Sequence, residues 1–91
     1  MTGVEDLDDV VVDAEIDGEE VRRTIGRTTW QRGGWATIAI GVEVRSGDDW
    51  VKKVMVLRMQ KLRGLWRKHA AVTLSEDEAR GLADAIGGWL G

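Results

Sequence analysis

Cysteine and proline are absent from this chain of 91 residues, and so are phenylalanine and tyrosine. Without cysteine there is no disulfide framework and no thiolate metal site, which fits a reducing compartment and favours a cytoplasmic location. Without proline the turns must come from glycine-containing dipeptides. No apolar run approaches the roughly 20 residues of a membrane span, so no membrane association is expected. We predict one small domain with a thin core, in which some tryptophan must supply bulk.

Side chains that carry catalysis are nearly missing as well. His69 is the only histidine, Ser46 falls in a predicted turn and Ser75 in a predicted helix cap, so no nucleophilic triad can be assembled. The paired carboxylates lie in a tail, a turn and a helix start, where solvation and the helix dipole explain them. The glycines do not form a phosphate-binding loop. The sequence therefore predicts a protein that is not an enzyme and that uses no metal or cofactor.

The chain does show a strong sorting of charge. Residues 1–20 contain nine acidic side chains and no lysine or arginine, whereas residues 21–70 contain twelve lysine or arginine side chains against three acids. Positive charge interleaved with flat aromatic rings suits single-stranded nucleic acid, because phosphates can be neutralised while bases stack. Four of the five tryptophans lie in the basic stretch, namely Trp30, Trp35, Trp50 and Trp66.

The order of elements follows from apolar periodicity. Strict alternation, clearest at Ala36, Ile38 and Ile40, indicates strands with one face in the core, and glycine-containing turns separate them. These signals predict an antiparallel sheet of four to five strands in an α+β fold. The strands are expected at about residues 10–16, 20–30, 35–45, 50–62 and 66–74.

Both ends of the chain depart from the strand pattern. Ser75 and Glu78 form a capping box that predicts one amphipathic C-terminal helix over about 75–90, with its apolar stripe on the sheet. Residues 1–9 are acidic and poor in large apolar groups, so they are predicted to be a flexible tail. Residues 10–91 then form the single strand-rich domain.

The strand expected over residues 50–62 carries apolar side chains on both faces. Val54 and Val56 point to one side, and Met55, Leu57 and Met59 point to the other. Because helix is available for only one face, the second apolar face indicates a partner. We expect Met55, Leu57 and Met59 to form an exposed stripe that a second copy buries in a homodimer.

Candidate binding residues follow from the placement of charge and aromatic rings around the turns. Lysine and arginine concentrate on two neighbouring strands and the turn between them, whereas a merely solvated face usually mixes both signs. Rings that flank glycine turns are the best placed to stack on bases. The predicted nucleic-acid-binding residues are Arg27, Trp30, Arg32, Trp35, Arg58, Lys61, Arg63, Trp66, Arg67 and Lys68.

Residues 66–82 resemble the single-stranded-DNA-binding transcriptional regulators grouped as Whirly, Pur and positive cofactor four. As in the Whirly pattern, Trp66 is followed six positions later by apolar Val72, and then by Leu74-Ser75, Glu78 and Leu82. The chain differs in having Val72 where Whirly proteins usually have an aromatic residue, and in lacking their lysine-rich motif. The resemblance implies a curved antiparallel sheet followed by one C-terminal helix. It also implies that the sheet pairs with that of a second copy, and that single-stranded nucleic acid lies along basic and aromatic positions of the sheets.

Two functions of different classes remain open at this point. The first is non-enzymatic binding of single-stranded DNA or RNA, with DNA favoured, as a transcription or replication accessory factor. The alternative is a dimeric protein–protein interaction or assembly module that uses the same basic sheet to bind an acidic protein partner. Salt-sensitive binding to an oligonucleotide of mixed sequence would separate the two.

Overall fold

The computed structural model describes residues 3–91 and shows an α+β fold. A curled antiparallel sheet of five strands, shaped like half a barrel, is followed by a single C-terminal helix, as predicted. Strands that are consecutive in the chain are neighbours in the sheet. The elements are β1 (Ala14–Ile16), β2 (Glu19–Arg32), β3 (Trp35–Ser46), β4 (Asp49–Leu62), β5 (Leu65–Ser75) and α1 (Glu76–Leu90). No helix in residues 3–91 has the length and apolar character that crossing a bilayer requires.

Tight glycine turns set the register of the sheet. Asp17 and Arg63 both adopt a left-handed backbone with φ of 53°, and each is followed by a left-handed glycine, Gly18 or Gly64. Two consecutive left-handed residues are typical of the two-residue hairpin loops whose twist matches that of the flanking strands. The register fixed in this way decides which side chains of neighbouring strands share a face.

One side of the sheet, which we call the inner face, holds the core. Ala36, Ile38, Ile40 and Val42 of β3 are at most 1% exposed there. Three residues of β4 pair directly with this strand, and directly paired residues point to the same face. They are Met55 opposite Ile40, Leu57 opposite Ile38 and Met59 opposite Ala36.

The predicted exposed stripe of Met55, Leu57 and Met59 is therefore wrong. Leu57 and Met59 are 5% and 2% exposed, and Met55 packs against the same core cluster. Both faces of β4 are apolar, so the alternation of this strand alone could not decide which face would be covered within the chain.

Residues 3–13 cover the inner face, whose Met55, Leu57 and Met59 were predicted to be covered by a second copy. Val4 and Trp66 exchange two backbone hydrogen bonds of 3.0 and 2.7 Å at the edge of β5. From there the chain crosses to β1 at the opposite edge of the sheet. Leu7, Val10 and Val12 are buried in the core along this path.

The flexible tail expected over residues 1–9 is thus packed on the sheet from Val4 onward, while residues 1–2 lie outside the described residues. Acidic side chains dominate the composition of this segment, but they stay exposed while Leu7 turns inward. Arg27 fixes the path by donating to the carbonyl oxygens of Leu7 and Val10, and Arg22 donates to that of Val12. Burial of a few apolar groups outweighs the polar composition here.

α1 begins at the capping box that the sequence predicts. The backbone amide of Ser75 donates to Oε1 of Glu78 at 3.1 Å, and the hydroxyl of Ser75 accepts from the backbone amide of Glu78 at 3.2 Å. The hydrogen bond that the Ser75 backbone amide donates to the Glu78 carboxyl, with a smaller contribution from the Ser75 side chain, holds the pKa of that carboxyl below its ordinary value, because it favours the ionised form. Contrary to prediction, no residue of α1 is buried, and the sheet leaves Leu82 and Ile86 of its apolar stripe exposed.

Acid is expected to weaken this cap. Because the pKa of Glu78 is lowered in the folded state, the ionised carboxylate contributes stability above the unfolded-state pKa. That contribution is lost as the pH falls through the lowered pKa. We expect Glu78→Gln, whose amide does not titrate, to lose less helix signal than the wild type in an acid titration followed by far-UV circular dichroism. An identical loss in both proteins would contradict a role for Glu78 ionisation.

Candidate nucleic-acid interface

The side of the sheet opposite the core, which we call the outer face, brings exposed aromatic rings and arginines together. Two rows of directly paired residues cross it near the β2–β3 and β4–β5 turns, and members of a row point to the same side. The first row is Trp30, Thr37, Arg58 and Ala70, and the second is Arg32, Trp35, Gln60 and Arg67.

Arg58 is held in a defined orientation at the centre of these rows. Its guanidinium lies over the Trp35 ring, 4.8 Å from the ring centroid, and donates a hydrogen bond of 2.9 Å to Oγ1 of Thr37. No carboxylate in residues 3–91 forms an ion pair with it. The guanidinium therefore keeps its charge and further N–H donors for a phosphate, and its plane suits stacking on a base.

A second arginine–tryptophan pair on the same sheet provides a contrast. Arg23 lies 3.9 Å from the centroid of the Trp50 ring, but it also forms ion pairs with Glu43 at 3.1 Å and Glu20 at 3.7 Å. Its charge is balanced within the chain, so this pair offers little to a polyanion. The Arg58–Trp35 pair shares the stacked arrangement without the acids.

A β-bulge adds His69, which sequence reasoning treated as an ordinary strand residue. The ladder between β4 and β5 shifts at Arg58 and Met59, which makes His69 the extra residue. Its ring meets the Trp35 ring edge-on, with centroids 5.0 Å apart and planes at 89°. Bulges re-aim side chains in this way, but no sequence signal marks this one. We call Trp30, Arg32, Trp35, Arg58, Arg67 and His69 the aromatic-basic patch.

The other predicted binding residues lie elsewhere. Trp66 is only 3% exposed because it lies in the core, so it cannot stack on a base. Lys61 also lies on the inner face, with its Nζ atom 5.7 Å from the centroid of the Trp66 ring. Lys68 borders a small cavity beside Val10 and Asp9 on that face. Arg27 is occupied with the N-terminal carbonyls, as described above, and Arg63 forms the β4–β5 turn.

The N-terminal acids and the aromatic-basic patch lie on opposite faces of the sheet. The N-terminal carboxylates, including those of Glu5, Asp6 and Asp8, belong to the segment that covers the inner face, whereas the aromatic-basic patch contains no acid. A polyanion approaching the outer face therefore meets arginines without passing these carboxylates. The sorting of charge along the sequence therefore corresponds in part to a separation in space.

Comparison with protein-family models, curated proteins and solved structures finds no match for this chain. Within residues 3–91, no group of three or more histidine, aspartate or glutamate side chains is arranged to hold a metal ion. The aromatic-basic patch is the candidate functional site.

Proposed function

We propose that the protein is a non-enzymatic binder of single-stranded nucleic acid and that the aromatic-basic patch is its binding surface. The observation that carries this proposal is the Arg58 guanidinium, stacked on Trp35 and free of ion pairs within residues 3–91, beside Trp30, which is 60% exposed. An exposed ring and an arginine without an acidic partner are the two kinds of group that stack on bases and bind phosphates in single-stranded nucleic acid.

The patch supplies both contributions that single strands require. Trp30 and Trp35 are diagonal neighbours on adjacent strands, about 7–8 Å apart at the backbone, so a base stacked on Trp30 places the next nucleotide close to the Arg58–Trp35 pair. Trp30 offers an open ring, and each base stacked on an aromatic ring contributes about 1–3 kcal/mol. Arg32, Arg58 and Arg67 lie around these rings to neutralise phosphates. A duplex keeps its bases stacked on one another, which favours single strands at this site.

The biological role is proposed from the sequence. The resemblance of residues 66–82 to regulators of the Whirly, Pur and positive cofactor four group favours DNA over RNA and a role as a transcription or replication accessory factor. The lack of cysteine suits a reducing compartment, and we therefore propose that the protein acts in the cytoplasm.

Fluorescence anisotropy with a labelled oligonucleotide of mixed sequence tests the proposal. We expect tighter binding to the single strand than to its duplex, and a loss of affinity with salt whose logarithmic slope is about −0.7 per neutralised phosphate. Equal affinity for both forms would remove stacking from the mechanism. Polyglutamate of matched charge is the competitor that tests the alternative, because an acidic-protein module would bind it as well as the oligonucleotide.

Replacing Trp30 by alanine is expected to weaken single-strand binding by about 5- to 100-fold, because one stacking platform is lost. The matched control is Trp50→Ala, which removes the ring of the acid-balanced pair on the same face. Anisotropy should show that the control binds within about threefold of the wild type, since Trp50 lies outside the patch. Comparable losses in the two variants would show that the ring position does not matter and would contradict the assignment.

A further inference from the structure

An apolar strip lies beside the aromatic-basic patch on the outer face. It consists of a row formed by Ala39, Val56 and Val72 and a neighbouring pair formed by Val54 and Leu74. None of these five side chains is buried, and Val72 is 51% exposed. A partner was predicted to cover one apolar face of β4. The face that stays uncovered within the chain is the one that carries Val54 and Val56, and not the predicted one that carries Met55, Leu57 and Met59.

The apolar side of α1 is also uncovered. Leu82 and Ile86 are 45% and 37% exposed, and Trp89 and Leu90 at the end of the helix are 76% and 85% exposed. Helices of 15 residues are marginal in water and gain most of their stability from packing of an apolar side. The helix meets the sheet near its first turn, where Ala79 borders a cavity of about 170 Å³ beside Val54. Such a helix needs a further surface to pack on.

The chain is more extended and exposes more surface than a compact monomer of its mass. The radius of gyration is 14.7 Å, whereas a compact domain of this length has about 12 Å. The accessible surface is 6542 Å², against about 5,300 Å² for a compact monomer of this mass. The excess, about 1,200 Å², is larger than the roughly 800 Å² that each partner buries in a standard interface.

We propose that a second copy of this chain covers the apolar strip and the exposed side of α1, forming a homodimer. The strip and the helix stripe are two apolar surfaces carried by every copy, so a two-fold arrangement lets each copy supply what the other lacks. The surface excess is large enough for one such interface. The aromatic-basic patch lies at the border of this interface. The dimer does not depend on nucleic-acid binding.

Sedimentation of the full chain over a range of concentrations, without nucleic acid, tests the dimer. We expect the wild type to sediment as a dimer, and Val72→Lys and Leu82→Lys to raise its dissociation constant at least tenfold, because each buries a charge in the interface. The matched control is Val11→Lys, at a position 71% exposed on the segment that covers the inner face, and it should remain a dimer. Far-UV circular dichroism checks that each variant is folded.

Trp89→Ala provides a second measurement if a lysine variant fails to fold, because this residue is 76% exposed and contributes nothing to the core of one chain. We expect it to weaken the dimer at least fivefold while keeping the folded spectrum. A wild type that remains a monomer at high concentration would overturn the proposal. A dimer that is unaffected by changes at Val72, Leu82 and Trp89, or that is lost in Val11→Lys, would overturn the assigned surface.

Discussion

Replacing Arg58 by glutamate is expected to weaken binding of a mixed-sequence single strand by about 10- to 100-fold at low salt. The change removes a charge-assisted hydrogen bond to phosphate, which is worth about 1.5–3 kcal/mol, and places a like charge in the path of the polyanion. Arg58 is exposed and lies on the outer face, so the core is not affected. Fluorescence anisotropy at several salt concentrations measures the loss, which should shrink as salt screens the added charge.

The control is Lys68→Glu, which makes the same change in charge on the inner face. We expect it to cost less than about threefold, because Lys68 borders the segment that holds the N-terminal acids. Arg58→Lys separates charge from shape: it keeps the charge but cannot present a planar group to a base, so we expect an intermediate affinity. Equal losses for Arg58→Glu and Lys68→Glu would mean that the whole basic stretch attracts the ligand without a defined site.

The sheet could be predicted because its signals are local. Asp17-Gly18 and Arg63-Gly64 adopt the left-handed backbone that two-residue hairpins require. The alternation from Ala36 to Val44 identified the buried side of β3, because a strand covered on one face shows period two. The capping box placed the start of the helix, since its two hydrogen bonds join residues three positions apart.

What covers each face of the sheet could not be predicted, because that depends on contacts between distant segments. An amphipathic stripe at Leu82 and Ile86 indicates that a helix packs on something, but not that the surface belongs to its own chain. At the other end, acidic composition concealed the buried Leu7. Met55, Leu57 and Met59 were assigned to the interface because residues 1–9 were predicted to be a flexible tail, which left only the helix to cover the sheet within the chain.

Part of the candidate site was predicted from the sequence. The wrong predictions have the same cause as those for the sheet faces, namely contacts between distant segments. The hairpin register brings Trp30, Trp35 and Arg58 together on one face, which turn signals alone could indicate. The basic stretch was nevertheless treated as one surface, although successive strand residues alternate between faces, and Trp66 falls on the buried side. His69 joins the patch only through a bulge, which depends on pairing between strands.

Deleting residues 1–9 is expected to lower the free energy of unfolding by about 3–5 kcal/mol. The deletion removes the buried Leu7 side chain, worth about 1.5–3 kcal/mol, and two backbone hydrogen bonds between Val4 and Trp66, each worth about 0.5–1.5 kcal/mol. It also takes one carbonyl acceptor from Arg27. Small domains are stable by only about 5–15 kcal/mol, so the truncated protein should unfold at a much lower urea concentration.

Urea titrations at one protein concentration measure this difference, because the stability of an oligomer depends on concentration. Leu7→Ala should reproduce much of the loss, since truncation of a buried leucine costs about 2–5 kcal/mol. Val11→Ala, at a position 71% exposed on the same segment, should change stability by less than about 0.5 kcal/mol. Unchanged unfolding of the truncated protein would mean that residues 3–9 contribute nothing to the core and behave as the flexible acidic tail that their composition indicates.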